Sequence, residues 1–268
     1  MHFLQRHSGR VTAALAVVLL SGCKGVDGIG GSSGSGGSTN QSATGVWSGN
    51  DSVSGLALTA FINSSGQAAF IRSDGVLFSG TVQVSAGNLV SSVSGYVNFP
   101  ATFTDGSNYG IGTLNGSVTT GSSLTATLSF TTNGSTAISG DWSLSFENIS
   151  NNSSSPATVS GNYTDTSTSQ VLSINSNGVM SQQNASGTTF SGCVLNGSIS
   201  TGDSTHNVYE VSYTLANCAG STQVLNGVKF TGLASLNNAQ SPAQLTIVVT
   251  GTSSSGAKYG IVSTLNAS

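Results

Sequence analysis

Charge is scarce in this sequence. Six Lys and Arg and nine Asp and Glu make up 6% of 268 residues, against about 25% in an ordinary soluble domain. No basic run or patch exists, which removes nucleic acid as a partner, because neutralising phosphates takes clustered cations. The same scarcity excludes a polybasic contact with anionic lipid. Beyond the first ten residues histidine is down to His206. A structural zinc site needs four N or S ligands, so neither a metal nor another cofactor is expected.

Motifs of catalysis are missing too: there is no Walker loop, no nucleophile elbow and no zinc-protease helix. His206 sits in Thr201–Asn207 (TGDSTHN), which reads as a hairpin tip. Asp203 lies three residues away, but an exposed tip is poor ground for a buried, oriented Ser-His-Asp site. Asp74, Asp105 and Asp203 stand beside glycines, where a carboxylate serves local turn hydrogen bonds. Asp141, Glu147 and Glu210 fall on or at the ends of expected strands and should face solvent. The chain is therefore expected to be non-enzymatic.

Long apolar runs are also lacking. Val11–Leu20 (VTAALAVVLL) is too short for a membrane span of about 20 residues. It follows a start bearing Arg6 and Arg10 without acids and precedes the small pair Ser21-Gly22, the pattern of a secretory signal peptide. The box Leu20-Ser21-Gly22-Cys23 resembles that of bacterial lipoproteins cut by signal peptidase II, over residues 1–23. The resemblance implies that residues 1–22 are removed and that Cys23 carries lipid and an acylated amino end. Lys24 stands where an aspartate often retains family members in the inner membrane, so it leans towards the outer membrane, on its periplasmic or surface face. Several acyl chains give the stable attachment that one chain does not. Residues 23–44 then comprise the lipidated cysteine and a Gly/Ser tether, its 24–44 stretch having an r.m.s. reach of roughly 25 Å.

With Cys23 assigned to lipid, Cys193 and Cys218 remain as an even pair in an oxidising compartment. A disulfide is expected, since a metal pair lacks further ligands and a catalytic thiol lacks a base. Closing that loop contributes about 3 kcal/mol on the chain-entropy model. Loss of Arg6 and Arg10 with the signal leaves Lys24, Arg72, Lys229 and Lys258 as the only cations against nine acids.

From Gly45 onwards the pattern alternates with period two. Leu124-Thr125-Ala126-Thr127-Leu128-Ser129-Phe130 and Trp142-Ser143-Leu144-Ser145-Phe146 place every apolar side chain on one sheet face. Turn pairs such as Asp74-Gly75, Asp105-Gly106 and Asn133-Gly134 punctuate the runs. Residues 61–80 align without gaps to 173–192, with eight of twenty positions matching, Asn63/Asn175, Gly66/Gly178 and Gly80/Gly192 among them. Upstream, Gly45-Val46-Trp47 matches Gly161-Asn162-Tyr163; downstream, Leu114–Val118 faces Phe230–Ala234. So long a period indicates two domains, not a solenoid.

Each half carries about eight strand-like runs. The expected fold is all-β: two tandem antiparallel eight-stranded β-barrel-like domains, 45–147 and 157–268, joined by a polar linker at 148–156. A sandwich fits the same spacing, and a single sixteen-stranded membrane barrel is opposed by scarce aromatics. Gly45-Val46-Trp47 resembles the G-x-W signature of lipocalins, which implies a lipocalin-like barrel with Trp47 plugging its floor. The functional expectation is a membrane-anchored binding or interaction module, its partners the bilayer and a further protein or small ligand. An inhibitor or immunity lipoprotein against an envelope-targeting enzyme and a lipocalin-like carrier are the alternatives.

Overall fold

The computed structural model describes residues 41–165, 170–183 and 193–268, with Gln183 in backbone only. The signal segment, Cys23 and most of the tether lie outside the described residues.

Eight strands follow in sequence: β1 (Gly45–Asp51), β2 (Ala57–Ile62), β3 (Gln67–Arg72), β4 (Val76–Ser85), β5 (Asn88–Val97), β6 (Tyr109–Thr119), β7 (Ser123–Thr132) and β8 (Ala137–Phe146). Each pairs antiparallel with the next. β1 returns to β8, with Trp47 opposite Phe146 and Asp51 opposite Trp142, so the sheet closes. The second set is β9 (Gly161–Thr164), β10 (Val171–Ile174), β11 (Val179–Gln183), β12 (Val194–Thr201), β13 (Tyr209–Ala216), β14 (Lys229–Asn237), β15 (Gln244–Thr252) and β16 (Lys258–Ala267). It closes likewise, with β9 paired to both β10 and β16. The architecture is thus two up-and-down barrels, neither a sandwich nor one ring of sixteen. Closure removes the free edges that an open sheet would expose.

Alternation explains the interiors. Along β7, Leu124, Ala126, Leu128 and Phe130 point inward while Ser123, Thr125, Thr127 and Ser129 face out. Eight strands leave a bore that side chains can fill. In barrel 1 Phe70, Phe78, Phe130 and Trp142 do so, their ring centroids 5.1–5.4 Å apart. Barrel 2 is filled by Tyr209, Tyr213, Phe230 and aliphatic residues.

The two barrels share their plugs and first hairpins. Trp47 Nε1 donates to the Ala43 carbonyl at 2.8 Å, and Tyr163 Oη donates to the Val159 carbonyl at 3.0 Å. In both cases a fully buried ring bonds to the backbone four residues earlier. In the β2–β3 turn, Asn63 Oδ1 accepts from the Ser65 and Gln67 amides, and Gly66 adopts φ +83°. In the β10–β11 turn, Asn175 Oδ1 accepts from the Asn177 and Val179 amides, and Gly178 adopts φ +79°. A left-handed backbone here is what selects glycine twice.

The gapless alignment does not survive beyond those hairpins. Ala68 pairs with Gly80, and its counterpart Met180 pairs with Gly197, not with Gly192. The connection after β11 is the cause. Five residues (72–76) separate the paired Ile71 and Leu77, whereas ten (184–193) separate Gln183 and Val194. The matches Gly187, Phe190, Ser191 and Gly192 lie outside the described residues.

A second difference concerns β14: the sequence reads as one strand-like run over 224–236, yet the strand starts only at Lys229. Gly220–Leu225 instead winds into a short 3-10 segment. It follows the Cys193–Cys218 disulfide, which ties the start of β12 to the end of β13. Asn226 closes this corner, accepting from the Cys218 amide at 2.7 Å and donating to its carbonyl at 3.1 Å.

Residues 148–156, expected as a polar linker, act as a strap instead. Ser150 is fully buried; its Oγ accepts from the Val46 amide and donates to the Val46 carbonyl. Its own carbonyl accepts from the Asn207 amide at 3.1 Å. Ser154 Oγ donates to the Asp203 carbonyl at 2.7 Å. Small hydroxyls satisfy the backbone here, so a polar sequence can be buried without orphaned groups.

A third apolar cluster welds the barrels side by side. Val46, Phe61, Ala69, Leu77 and Tyr96 project outward from barrel 1 and meet Val208, Leu233 and Val248 of barrel 2. Polar contacts rim this seam. Asn98 Oδ1 accepts from the Val262 amide at 2.9 Å, Asn108 Nδ2 donates to the Lys258 carbonyl at 2.8 Å, and Asn63 Nδ2 donates to Glu210 at 2.9 Å. Gly260 lies at the closest approach. A Cβ there would stand 2.6 Å from Tyr96 Cβ and 2.8 Å from Leu77 Cδ2.

Candidate binding site between the barrels

Where the seam opens, the paired strands of each barrel face one another across a cleft of about 300 Å³. Ser48 pairs with Thr59 and Val46 with Phe61 on β1 and β2. Opposite, Ser235 pairs with Thr246 and Asn237 with Gln244 on β14 and β15. The strap adds Glu147 and Ile149. All are outward positions of their barrels, brought together only because the seam holds two curved surfaces in contact.

The polar groups of the cleft are unevenly satisfied. Glu147 is anchored through its amide to the Val46 carbonyl at 2.9 Å, and its Oε1 accepts a short hydrogen bond from Ser48 Oγ. Gln244 Nε2 donates to Asn266 at 3.4 Å, and Asn237 Oδ1 accepts from the Ala239 amide at 3.1 Å. Ser235 is 3% exposed, and its Oγ has no hydrogen-bond partner among the described residues. A buried hydroxyl left unpaired costs about 1–3 kcal/mol. Two other buried groups, Trp142 Nε1 and Tyr209 Oη, are likewise without a partner among the described residues, but they lie in the barrel interiors; Ser235 is the one of the three that belongs to the lining of the cleft.

The barrel bores offer much less. Barrel 2 retains about 30 Å³ beside Leu172, Leu195, Tyr213 and Ile247, room for a water or two. Burial there pushes the Tyr213 phenol well above its ordinary range, and burial likewise raises Tyr209 to about 12 and Tyr163 to a lesser degree.

The residues singled out from sequence are distributed as follows. Cys23 lies outside the described residues. Cys193 and Cys218 are bonded. Asp203 and His206 do come together, Oδ2 to Nδ1 at 2.7 Å. However, Thr205 Oγ1 donates to Asp203 Oδ1 at 2.6 Å and lies 3.0 Å from the same Nδ1. The hydroxyl thus sits on the orienting side of the imidazole, where a nucleophile cannot use it. Partial burial, the largest influence on the Asp203 carboxyl, pushes it up, but the bonds from Thr205 and His206 together hold it below its ordinary value. Asp105 is held lower still, chiefly by Ser107 and then by Thr132.

Asp74 is more than a turn residue. Arg72 donates to both its oxygens at 2.9 and 2.8 Å and reaches within 3.9 Å of Asp51, which is fully buried. Asp51 also accepts from Ser54 Oγ at 2.7 Å and the Asp141 amide at 3.1 Å. Over Trp47, Phe146 meets the indole edge-on at 5.1 Å. Glu147, expected to face solvent, is half-buried in the cleft.

Sequence reasoning missed the seam and with it the cleft. The signal was present as interruptions of the alternation: Ala60-Phe61-Ile62, Val76-Leu77-Phe78 and Ile247-Val248-Val249 are apolar on both faces. Such runs mark strands buried on both sides. No family model matches the chain, and no curated protein shows significant similarity to it.

Proposed function

We propose that this chain is a lipid-anchored protein of the bacterial cell envelope that acts without catalysis, as a binding module whose site is the cleft between its barrels. The lipoprotein reading rests on Leu20-Ser21-Gly22-Cys23 and the Gly/Ser stretch behind it. Lys24 favours attachment to the outer membrane. One observation carries the binding reading: both barrels contribute side chains to one opening that holds a carboxylate and a buried, unpaired hydroxyl. Filled bores shift recognition from the barrel interior, where a carrier would hold its cargo, to this junction.

Metabolic labelling with an alkyne fatty acid tests the anchor. Label should enter the wild-type chain and vanish in Cys23→Ser, which should also leave the membrane fraction. For the site, full-length chain in detergent micelles is incubated with solubilised envelope extract, beside a Thr246→Trp variant whose indole fills the cleft. Material retained by the wild type and not by the variant is expected. Equal retention by both would remove the cleft from function.

A further inference from the structure

We infer that the cleft recognises a neutral polyol, a single sugar ring or the terminal ring of a longer glycan. This rests on the binding-module reading and specifies its ligand. Among the described residues, Glu147 is the one charged residue lining the cleft. An anionic ligand would meet an uncompensated carboxylate there, so phosphates and carboxylates are excluded as its class. A simple ammonium carries donors only, and the cleft asks for more than acceptors. With Asn237 Oδ1 taken by Ala239, its Nδ2 is left to donate. With Gln244 Nε2 turned to Asn266, its Oε1 is left to accept. Ser48 occupies Glu147 Oε1 and so orients the carboxylate, leaving Oε2 open as a charged acceptor.

Hydroxyls complete the set. Ser235 Oγ lies buried in the wall of the cleft, with no hydrogen-bond partner among the described residues. It both donates and accepts. A ligand made of hydroxyl groups is the chemical complement of such a mixture, since each of its own groups also does both. Ile149 and Phe61 add an apolar strip against which the C–H face of a sugar ring can lie. The volume, about 300 Å³, is at the lower end of small-molecule sites. That suits one ring, not a lipid or a folded partner.

The test uses full-length chain in detergent micelles, titrated by calorimetry and followed by backbone amide shifts. The probes are D-glucose, D-galactose, D-mannose and N-acetyl-D-glucosamine, with glucose 6-phosphate as the anionic arm and putrescine as the cationic arm. At least one neutral sugar should bind saturably with a Kd of about a millimolar, as expected for a ligand of that size. Shifts should centre on Glu147, Ser235, Asn237 and Thr246, and the sugar phosphate should bind more weakly than its parent. Glu147→Gln removes a charge-assisted acceptor and should weaken binding about tenfold or more. Ser235→Ala should weaken it by a smaller factor while leaving the near-ultraviolet tyrosine ellipticity of barrel 2 unchanged, so a folding defect is visible separately. Saturation by putrescine alone, by the phosphate alone, or by no probe overturns the sugar assignment. If retention of envelope material still depends on an open cleft, the binding-module reading outlives that failure. If retention is equally lost or equally kept in Thr246→Trp, both fall together.

Discussion

Gly260 is the position at which the packing of the two barrels can be broken without touching either interior. Its backbone accepts from the Phe99 amide at 2.9 Å, and a Cβ there would lie 2.6 Å from Tyr96 Cβ and 2.8 Å from Leu77 Cδ2. Carbon atoms at rest stand about 3.5–4.0 Å apart, so any side chain forces the barrels apart by about 1 Å. Overpacking of this kind costs about 1–3 kcal/mol, and losing the Phe99 bond adds about 1 kcal/mol. Gly260→Val should therefore weaken the seam by about 2–4 kcal/mol. The assay follows from composition. Both tryptophans, Trp47 and Trp142, lie in the barrel 1 core, whereas Tyr163, Tyr209 and Tyr213 fill barrel 2. Tryptophan emission thus reports barrel 1 alone during urea unfolding, while tyrosine near-ultraviolet ellipticity reports chiefly barrel 2, with Tyr96 and Tyr109 of barrel 1 contributing at the seam. Wild type should give coincident transitions, since each barrel buries the other's outward apolar residues. Gly260→Val should split them, with a fall in midpoint for the barrel that loses more from separation. Coincident, unshifted transitions in the variant would refute the seam as a stabilising interface. So would separate transitions in the wild type.

Removing the disulfide by Cys193→Ser with Cys218→Ser frees a 25-residue separation and should cost about 3.5 kcal/mol, read as a loss of tyrosine ellipticity at lower urea with tryptophan emission following only through the seam. Arg72→Met strips the guanidinium from between Asp74 and the fully buried Asp51 and should cost barrel 1 about 3 kcal/mol; a change under 0.5 kcal/mol in tryptophan-detected unfolding would mean that the hydrogen bonds to Asp51 suffice alone. Alkali should open barrel 2. Burial raises Tyr209 from 10.0 to about 12, so the folded state holds its proton more tightly than the unfolded chain. The associated stability is complete below pH 10 and is lost as pH rises through 12. Phenolate absorbance and far-ultraviolet ellipticity should change together across that window. Phenolate formation with the fold intact would show that water reaches the bore.

How much of this was legible in the sequence depends on the face of the strand that carried the signal. Inward positions announced themselves, because one buried face against one wet face is the pattern that alternation encodes. β7 reads Leu-Thr-Ala-Thr-Leu-Ser-Phe in sequence and is buried and exposed by turns in the barrel. The turn at Asn63-Ser64-Ser65-Gly66 was equally legible, since a left-handed residue there selects glycine and the side-chain amide caps the loop. Pairing of Asp51 with Arg72 was not, because the two are 21 positions apart on strands that flank β2 without pairing to each other, and the register across β2 decides that their ends coincide. Glu147 illustrates the same limit. Its position at a strand end read as solvent-facing, and what half-buries it is a second barrel docked beyond it. The start of β14 was misplaced because Val224 and Leu225 continue an apolar pattern, while the disulfide and Asn226 hold the backbone in a tight turn.

The seam itself follows from small departures between two copies of one barrel. Barrel 1 docks through the outer face of β1 to β5, and barrel 2 chiefly through that of β14 to β16, the counterpart of β6 to β8. A contact between different faces of equivalent units is heterologous, and such contacts propagate unless the free faces are altered. They are altered here, position by position. On barrel 2 the residues equivalent to Phe61 and Ala69 are Ser173 and Ser181. On barrel 1 the counterpart of the cross-strand row Leu233–Val248–Val262 is Ser117–Thr125–Ser143, aligned through Gly232 and Gly116. All three hydroxyl residues are exposed, and Ser117 and Thr125 bond to one another at 3.0 Å. At these positions apolar residues occupy the faces that meet, and serine and threonine the equivalent faces that do not, although Ile111, Val171 and Val179 stand exposed elsewhere on those free faces. Hydroxyls make these equivalent faces polar where another protein would use charge. The scarcity of Lys, Arg, Asp and Glu is thus not a lack of polar surface but a choice of uncharged polar groups for it.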